Sequence, residues 1–228
     1  MISDFKSSVL GYEYLNRSFS QNGEDLVLSR LLENHPKGRY IDVGVHHPFR
    51  FSNTANLYYS GWIGTNVDAD PASMENFTEV RTNEENICAA LGSKQELLSY
   101  YSYKETALNT LSEKRMKFLE NYGLFPTKVD QIEVKKASEF LTQIFTYDTY
   151  LLNIDVEGLD FEILAGLDIK FFYPCFILIE TQELSIEQFD AHTKADPFLS
   201  NYHMKSFLFN TAILKSDNCA HQNDLERR

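Results

Sequence analysis

The chain has 228 residues, 43% of them hydrophobic and 14% aromatic, which is enough to bury a sizeable core and excludes a disordered chain. Its 33 acidic residues against 21 basic ones leave a net charge of 21 − 33 = −12, so the surface repels a phosphate backbone on average and nucleic acid is not an expected partner. No stretch approaches the ~18 apolar residues of a membrane helix, and the amino-terminal residues lack a basic segment followed by an apolar one. Neither membrane insertion nor a signal peptide is therefore expected. Cys88, Cys175 and Cys219 are widely spaced and odd in number. They make neither a disulfide framework nor a zinc pattern, and read as structural thiols of a cytoplasmic protein.

The length suits one domain over residues 1–228, with an N-terminal helical segment over 1–36. Apolar spacing predicts a helix over 24–35 that Ser20 or Asn22 could cap, broken by Pro36 and Gly38. RYIDVGV (39–45) reads as a strand, SNTANLYYS as a short helix and GWIGTNVDAD (61–70) as a second strand, which together are the size of a βαβ unit. A helix over 71–83 follows, with Pro71 in its first turn. NICAALG (86–92) is strand three, and LLSYYSY (97–103) an additional strand. The 106–123 segment turns helical toward Gly123, and 132–145 reads as strand then helix. TYLLNIDV (149–156) and PCFILIE (174–180) are buried strands with acidic ends, separated by the helix LDFEILAGLD. The 205–215 segment suggests a final hairpin turning at Asn210.

Near-continuous apolar strands alternating with helices mean an α/β fold, a mostly parallel sheet with helices on both faces; the hairpin would add one antiparallel strand at an edge. The 97–147 stretch exceeds a plain crossover and reads as a lid or substrate-side insertion. In such sheets ligands bind at the carboxyl ends of the strands, where Asp42, Asp68, Asp155 and Glu180 fall.

The turn after strand one, YIDVGVHHP, has Gly44 alone where a dinucleotide site needs several glycines, and His46 occupies the second glycine's place. No phosphate loop occurs. A ligand without phosphates and with positive charge, such as S-adenosylmethionine, suits this acidic cleft better. Asp68, 26 residues after Asp42 (68 − 42), is placed to accept hydrogen bonds from ribose hydroxyls, while Asp70 can instead cap the next helix. Asp155 and Glu157 leave one strand tip together, and their mutual repulsion favours a raised pKa.

SQNGED (20–25), RYIDVGVHHPFRFSNT (39–54), GWIGTNVDADP (61–71), LLNIDVEGLDFEIL (151–164) and FILIET (176–181), taken in order, resemble the FkbM family of S-adenosylmethionine-dependent methyltransferases. The resemblance implies the Rossmann-like class I methyltransferase fold with seven strands, and O-methylation of a sugar, glycan precursor or small natural product. It implies cofactor contacts at Asp42, Gly44, His46, Asp68, Ala69, Ala90, Leu91 and Asp155, with Gln21 and Glu24 folding over the cofactor. No polar side chain from Cys88 to Leu91 reads adenine, so Ser93 is the candidate there. Methyl transfer to a hydroxyl benefits from a general base. Glu157, His47 and Asp155 are the catalytic candidates, with His46 and Glu180 near them. Arg50 and Lys104 could hold an anionic part of the acceptor, and Glu180 could contact it. The same acids with His47 could gather a divalent metal, but no ligand spacing specifies one and none is assigned. A homodimer is compatible with the sequence. The competing readings are a non-catalytic methyltransferase-like binding protein and an NAD-type oxidoreductase or epimerase. The single glycine and the lack of a helical Tyr-x-x-x-Lys dyad disfavour the latter.

Overall fold

The alternation of strands and helices forms two sheets in the computed structural model, which describes residues 16–35, 37–181 and 184–219. The strands are β1 (Arg39–Val43), β2 (Ile63–Asp68), β3 (Glu85–Cys88), β4 (Ala90–Gly92), β5 (Glu96–Ser102), β6 (Lys128–Lys136), β7 (Thr149–Ile154), β8 (Phe176–Glu180), β9 (Tyr202–Leu208) and β10 (Thr211–Ser216). The helices are α1 (Glu24–Leu32), α2 (Ala55–Tyr59), α3 (Pro71–Val80), α4 (Glu113–Glu120), α5 (Ala137–Ile144), α6 (Asp160–Leu164) and α7 (Ile186–Ala195). The expected helical segment before residue 16, and Pro36, lie outside the described residues.

The larger sheet has seven strands in the order β3-β2-β1-β7-β8-β10-β9. Strands β3 through β8 run parallel, and β10 is antiparallel to both of its neighbours. The antiparallel strand is therefore not at the edge, as expected, but one place inside it. Composition explains the order within the hairpin. β10, TAILKS, is buried at almost every position, whereas β9, YHMKSFL, has a mixed pattern that tolerates an edge.

Alternation along each strand divides the core between the two faces. Tyr40, Leu151, Leu178 and Ile213 pack with Leu28 and Leu32 of α1 and Leu57 of α2. Ile41, Leu152, Ile154, Ile177 and Leu214 pack with Leu141 of α5, Ile163 of α6 and Phe189 of α7. The carboxyl ends of β1, β2, β7 and β8 are thus held in one plane by apolar layers on both sides.

Strand three divides in two. β3 pairs with β2 as far as Cys88, Ala89 donates its N–H to the Asp68 carbonyl at 2.8 Å, and the chain then leaves the sheet. β4 instead pairs with β6 in a three-stranded sheet of order β4-β6-β5. Strands β5 and β6 of this smaller sheet fall in the 97–147 stretch together with α4 and α5.

The cysteines also differ from expectation. Cys175 and Cys219 form a disulfide, with Cα atoms 4.8 Å apart, and Cys88 is exposed. A separation of 44 residues carries no pairing signal in the sequence. The pair meets because Ser216 N–H bonds the Cys175 carbonyl at 2.8 Å, which carries the end of β10 back to the start of β8. No helix among the described residues is long and apolar enough to cross a membrane.

Candidate active site

Two adjoining clefts open at the carboxyl ends of the parallel strands, sharing Gly44, His46 and Ala107 as their common wall. The first, of about 580 Å³, is lined by Val43, Val67, Asp68, Ala69, Ala90 and Leu91, with Tyr100 and Asn109 contributed from outside the large sheet. The second, of about 1010 Å³, is lined by Gln21, Asp42, His47, Arg50, Asp155, Glu157 and Glu180 among others.

Gly44 has φ +87°, and a Cβ there would lie 1.8 Å from the Asp155 carbonyl oxygen. Glycine is required because the turn after β1 lies directly against the tip of β7. Asp42 is buried beneath this turn, accepting from Thr54 Oγ1 at 2.6 Å and Asn153 Nδ2 at 2.7 Å. Burial raises its carboxyl above the usual range, and those two donors oppose the shift.

Thr54 is itself held by a residue that the sequence reading passed over. Arg81, at the end of α3, is fully buried. Its Nη1 donates to Tyr40 Oη and Thr54 Oγ1, its Nη2 donates to the Pro48 carbonyl and Ser52 Oγ, and Glu84 lies 3.6 Å away. The helix expected over 71–83 stops at Val80 because Arg81 leaves helical geometry to reach this position. One arginine thereby fixes the 48–54 loop and, through Thr54, the floor of the second cleft.

Asp68 stands at the end of β2. Its Oδ1 accepts the Asp70 N–H at 2.6 Å, and no described residue partners its Oδ2. Burial above all raises its carboxyl to about 8, with Asp70 and Asp42 adding repulsion. Asp70 caps α3 by accepting the Ala72 N–H at 2.9 Å. Ser93 does not line the cleft; the polar groups near Ala90 and Leu91 come from Tyr100 and Asn109.

Asp155, Glu157 and Glu180 converge at the tips of β7 and β8, each with a carboxylate oxygen within 4.8 Å of the others'. Burial raises all three, and mutual repulsion adds to the shifts of Asp155 and Glu180, the latter reaching about 8. Arg115 of α4 opposes the shift at Glu157, approaching Oε2 with Nε at 2.9 Å and Nη2 at 2.7 Å. Asn210, in the β9–β10 turn, donates to Glu180 Oε1 at 2.9 Å. A guanidinium seated on one of these carboxylates competes with any cation, and no metal is assigned to the cluster.

The histidines differ in role from expectation. His47 Nδ1 accepts the N–H groups of Phe49 and Arg50, both at 3.0 Å. A neutral ring accepting there carries its proton on Nε2, so it is a donor to the cleft and has no lone pair for a base. Burial, then Arg50, lowers the pKa of both His46 and His47, which keeps them neutral. Arg50 forms a two-pronged ion pair with Glu105, both contacts at 2.9 Å, and holds that carboxyl down at about 2. Lys104 is exposed and lines neither cleft.

In the SQNGED motif, Gln21 lines the second cleft, but Glu24 turns away and accepts the Asn22 N–H at 2.8 Å. The centre of that motif is Asp25, which is fully buried. It accepts from Ser18, the Phe19 N–H, Ser20 and Asn56, and so ties the entering chain to α2. The expected caps resolve accordingly: Gly23 occupies the cap position, and Ser20 Oγ accepts the Asp25 N–H at 3.2 Å.

A parallel sheet of this strand order, with a glycine turn after β1 and a carboxylate at the end of β2, defines a doubly wound α/β protein with a ligand-binding crevice at the carboxyl ends of its strands. The Methyltransferase FkbM domain matches residues 42–208, a span that begins at the cleft floor and ends with β9. The chain belongs to the FkbM methyltransferase family. SQNGED lies outside the matched span. No curated protein matches the chain.

Proposed function

We propose that this protein transfers a methyl group from S-adenosylmethionine to a hydroxyl of an uncharged, polyhydroxylated acceptor such as a sugar, glycan precursor or small natural product. The observation that carries the donor assignment is Asp68. It is a desolvated carboxylate at the end of β2 with one oxygen lacking any described partner, which is the chemistry a ribose diol completes. The rest of the first cleft fits the same group. Val43, Val67, Ala90 and Leu91 offer apolar surface to a purine, and Asn109 and Tyr100 offer polar edges. Gly44 leads from there into the second cleft, whose acids suit a cationic sulfonium end. When bound, the donor supplies an already activated methyl group, so the chain's own task is to orient the acceptor, exclude water and accept one proton.

Glu157 is the proposed base. Its Oε2 is engaged by Arg115, while Oε1 has no described partner and the residue lines the second cleft. Asp155 assists from beside it. His47 is set aside because its free nitrogen carries the proton. The acceptor's charge follows from the cations: Arg50 is neutralised by Glu105 and Arg115 by Glu157, so an anionic acceptor would meet a cleft with a net excess of acids.

The test is transfer of labelled methyl groups from S-adenosylmethionine to a panel of neutral glycosides and their uronic-acid or phosphorylated counterparts. Incorporation into neutral members is expected. Incorporation confined to the anionic members would overturn the acceptor assignment.

A further inference from the structure

The 105–115 stretch supplies walls to both clefts, with Thr106, Asn109 and Thr110 in the first and Glu105, Leu108 and Arg115 in the second. It also grips the turn between β7 and α6. Thr110 Oγ1 donates to the Glu157 carbonyl at 2.7 Å. Arg115 holds Glu157 Oε2 with Nε and Nη2. Ser112 packs against Gly158 so closely that a Cβ there would lie 3.1 Å from the serine's own Cβ. Glu157 itself has φ +54°, a left-handed conformation that a residue with a side chain keeps only when its surroundings hold it there.

We propose that Arg115 and Thr110 are positioning residues for Glu157: Thr110 pins its backbone in the left-handed turn, and Arg115 occupies one carboxylate oxygen so that Oε1 is left for the acceptor hydroxyl. This rests on Glu157 as the base and extends the site into the segment that also walls the donor cleft. The groups facing Glu157 are Asp155 from the end of β7, Glu180 from the end of β8 and Arg115 from α4, while Asp160 at the start of α6 accepts the Val156 and Gly158 N–H groups on either side of Glu157. Arg115 is the single cation of that set. Without it Glu157 faces acids alone, and its carboxyl must titrate higher.

The experiment needs neither donor nor acceptor. The full chain is labelled with 13C at the glutamate carboxyl, and the Glu157 resonance, recognised by its loss in Glu157→Gln, is followed against pH. Arg115→Met is expected to raise the Glu157 midpoint by about one to three pH units. Arg115→Lys keeps the charge but loses the two-donor fork, and is expected to fall between that variant and wild type. A midpoint unmoved by both substitutions, or displaced equally by both, overturns the proposal. If Arg115→Met does not fold, Arg115→Lys against wild type carries the comparison, with an upward shift supporting the grip and no shift overturning it. Failure of S-adenosylmethionine to bind, with the titration still displaced, would instead sink the methyltransferase reading and leave the grip of Arg115 on Glu157 standing.

Discussion

Asp68 illustrates how a single side chain's surroundings set its chemistry. Burial lifts its carboxyl to about 8, so near neutral pH the free protein holds it largely protonated. Ribose hydroxyls donate best to the ionised form, and binding must therefore release a proton. Affinity for S-adenosylhomocysteine should accordingly rise with pH, by up to about tenfold per unit below pH 8, and level off above it. At pH 8 and above Asp68→Ala should weaken binding by about 1.5–3 kcal/mol, the range for a hydrogen bond to a charged group, with a smaller loss at lower pH, so that the variant's pH dependence is flatter. Calorimetric titration across pH 6–9 measures both, and unchanged affinity in the variant at pH 8–9 would refute the role. The placement of Asp42, Gly44, Asp68 and the strand-tip acids beside the clefts was legible in the sequence because each interrupts or ends an apolar run, where a charged or glycine residue needs a reason. The engagement of His47 Nδ1 is not legible in the sequence, because a ring nitrogen bonded to its own chain's N–H groups leaves no trace in residue type. Arg81 and Asp25 were invisible for a related cause: a charged residue at a helix end reads as solvated, and only the fold reveals it fully buried.

At the scale of elements, Arg81 joins α3 to the loop after β1 through three donated hydrogen bonds and to Tyr40 of β1 through a fourth, with Phe77 and Tyr58 rings against its guanidinium. Replacing it with Met keeps most of the volume but leaves Glu84 without its cation and several oxygens without donors. Arg81→Met should cost about 3–5 kcal/mol of stability, read from urea unfolding; a loss under about 1 kcal/mol would show the hub to be dispensable. The parallel strands and the helices covering them were readable because burial on both faces produces continuous apolar runs. The final hairpin and its turn at Asn210 were readable too. What the sequence could not convey is pairing between distant segments. It does not reveal that β10 rather than β9 meets β8, that the chain breaks at Ala89 to start a second sheet, or that Cys175 meets Cys219. Each of these is decided by competition between segments for the same edge, not by local preference.

For the molecule as a whole, the net charge of −12 is unevenly spent. Asp42, Asp68, Asp155, Glu157 and Glu180 gather around two clefts where burial raises every one of them, and repulsion from other acids of the group adds to the shifts of Asp68, Asp155 and Glu180. Concentrating buried acids in this way destabilises the free protein, and a cationic ligand in the cleft relieves it. A phosphate-bearing dinucleotide would aggravate it. The central claim is therefore tested most directly by calorimetric titration of the folded wild-type chain at pH 8 with S-adenosylmethionine and S-adenosylhomocysteine, with NAD as the competitor chemistry. The account predicts saturable one-site binding of the first two and none of NAD. Binding of NAD, or no heat from either adenosyl ligand with protein shown to be folded, would contradict it.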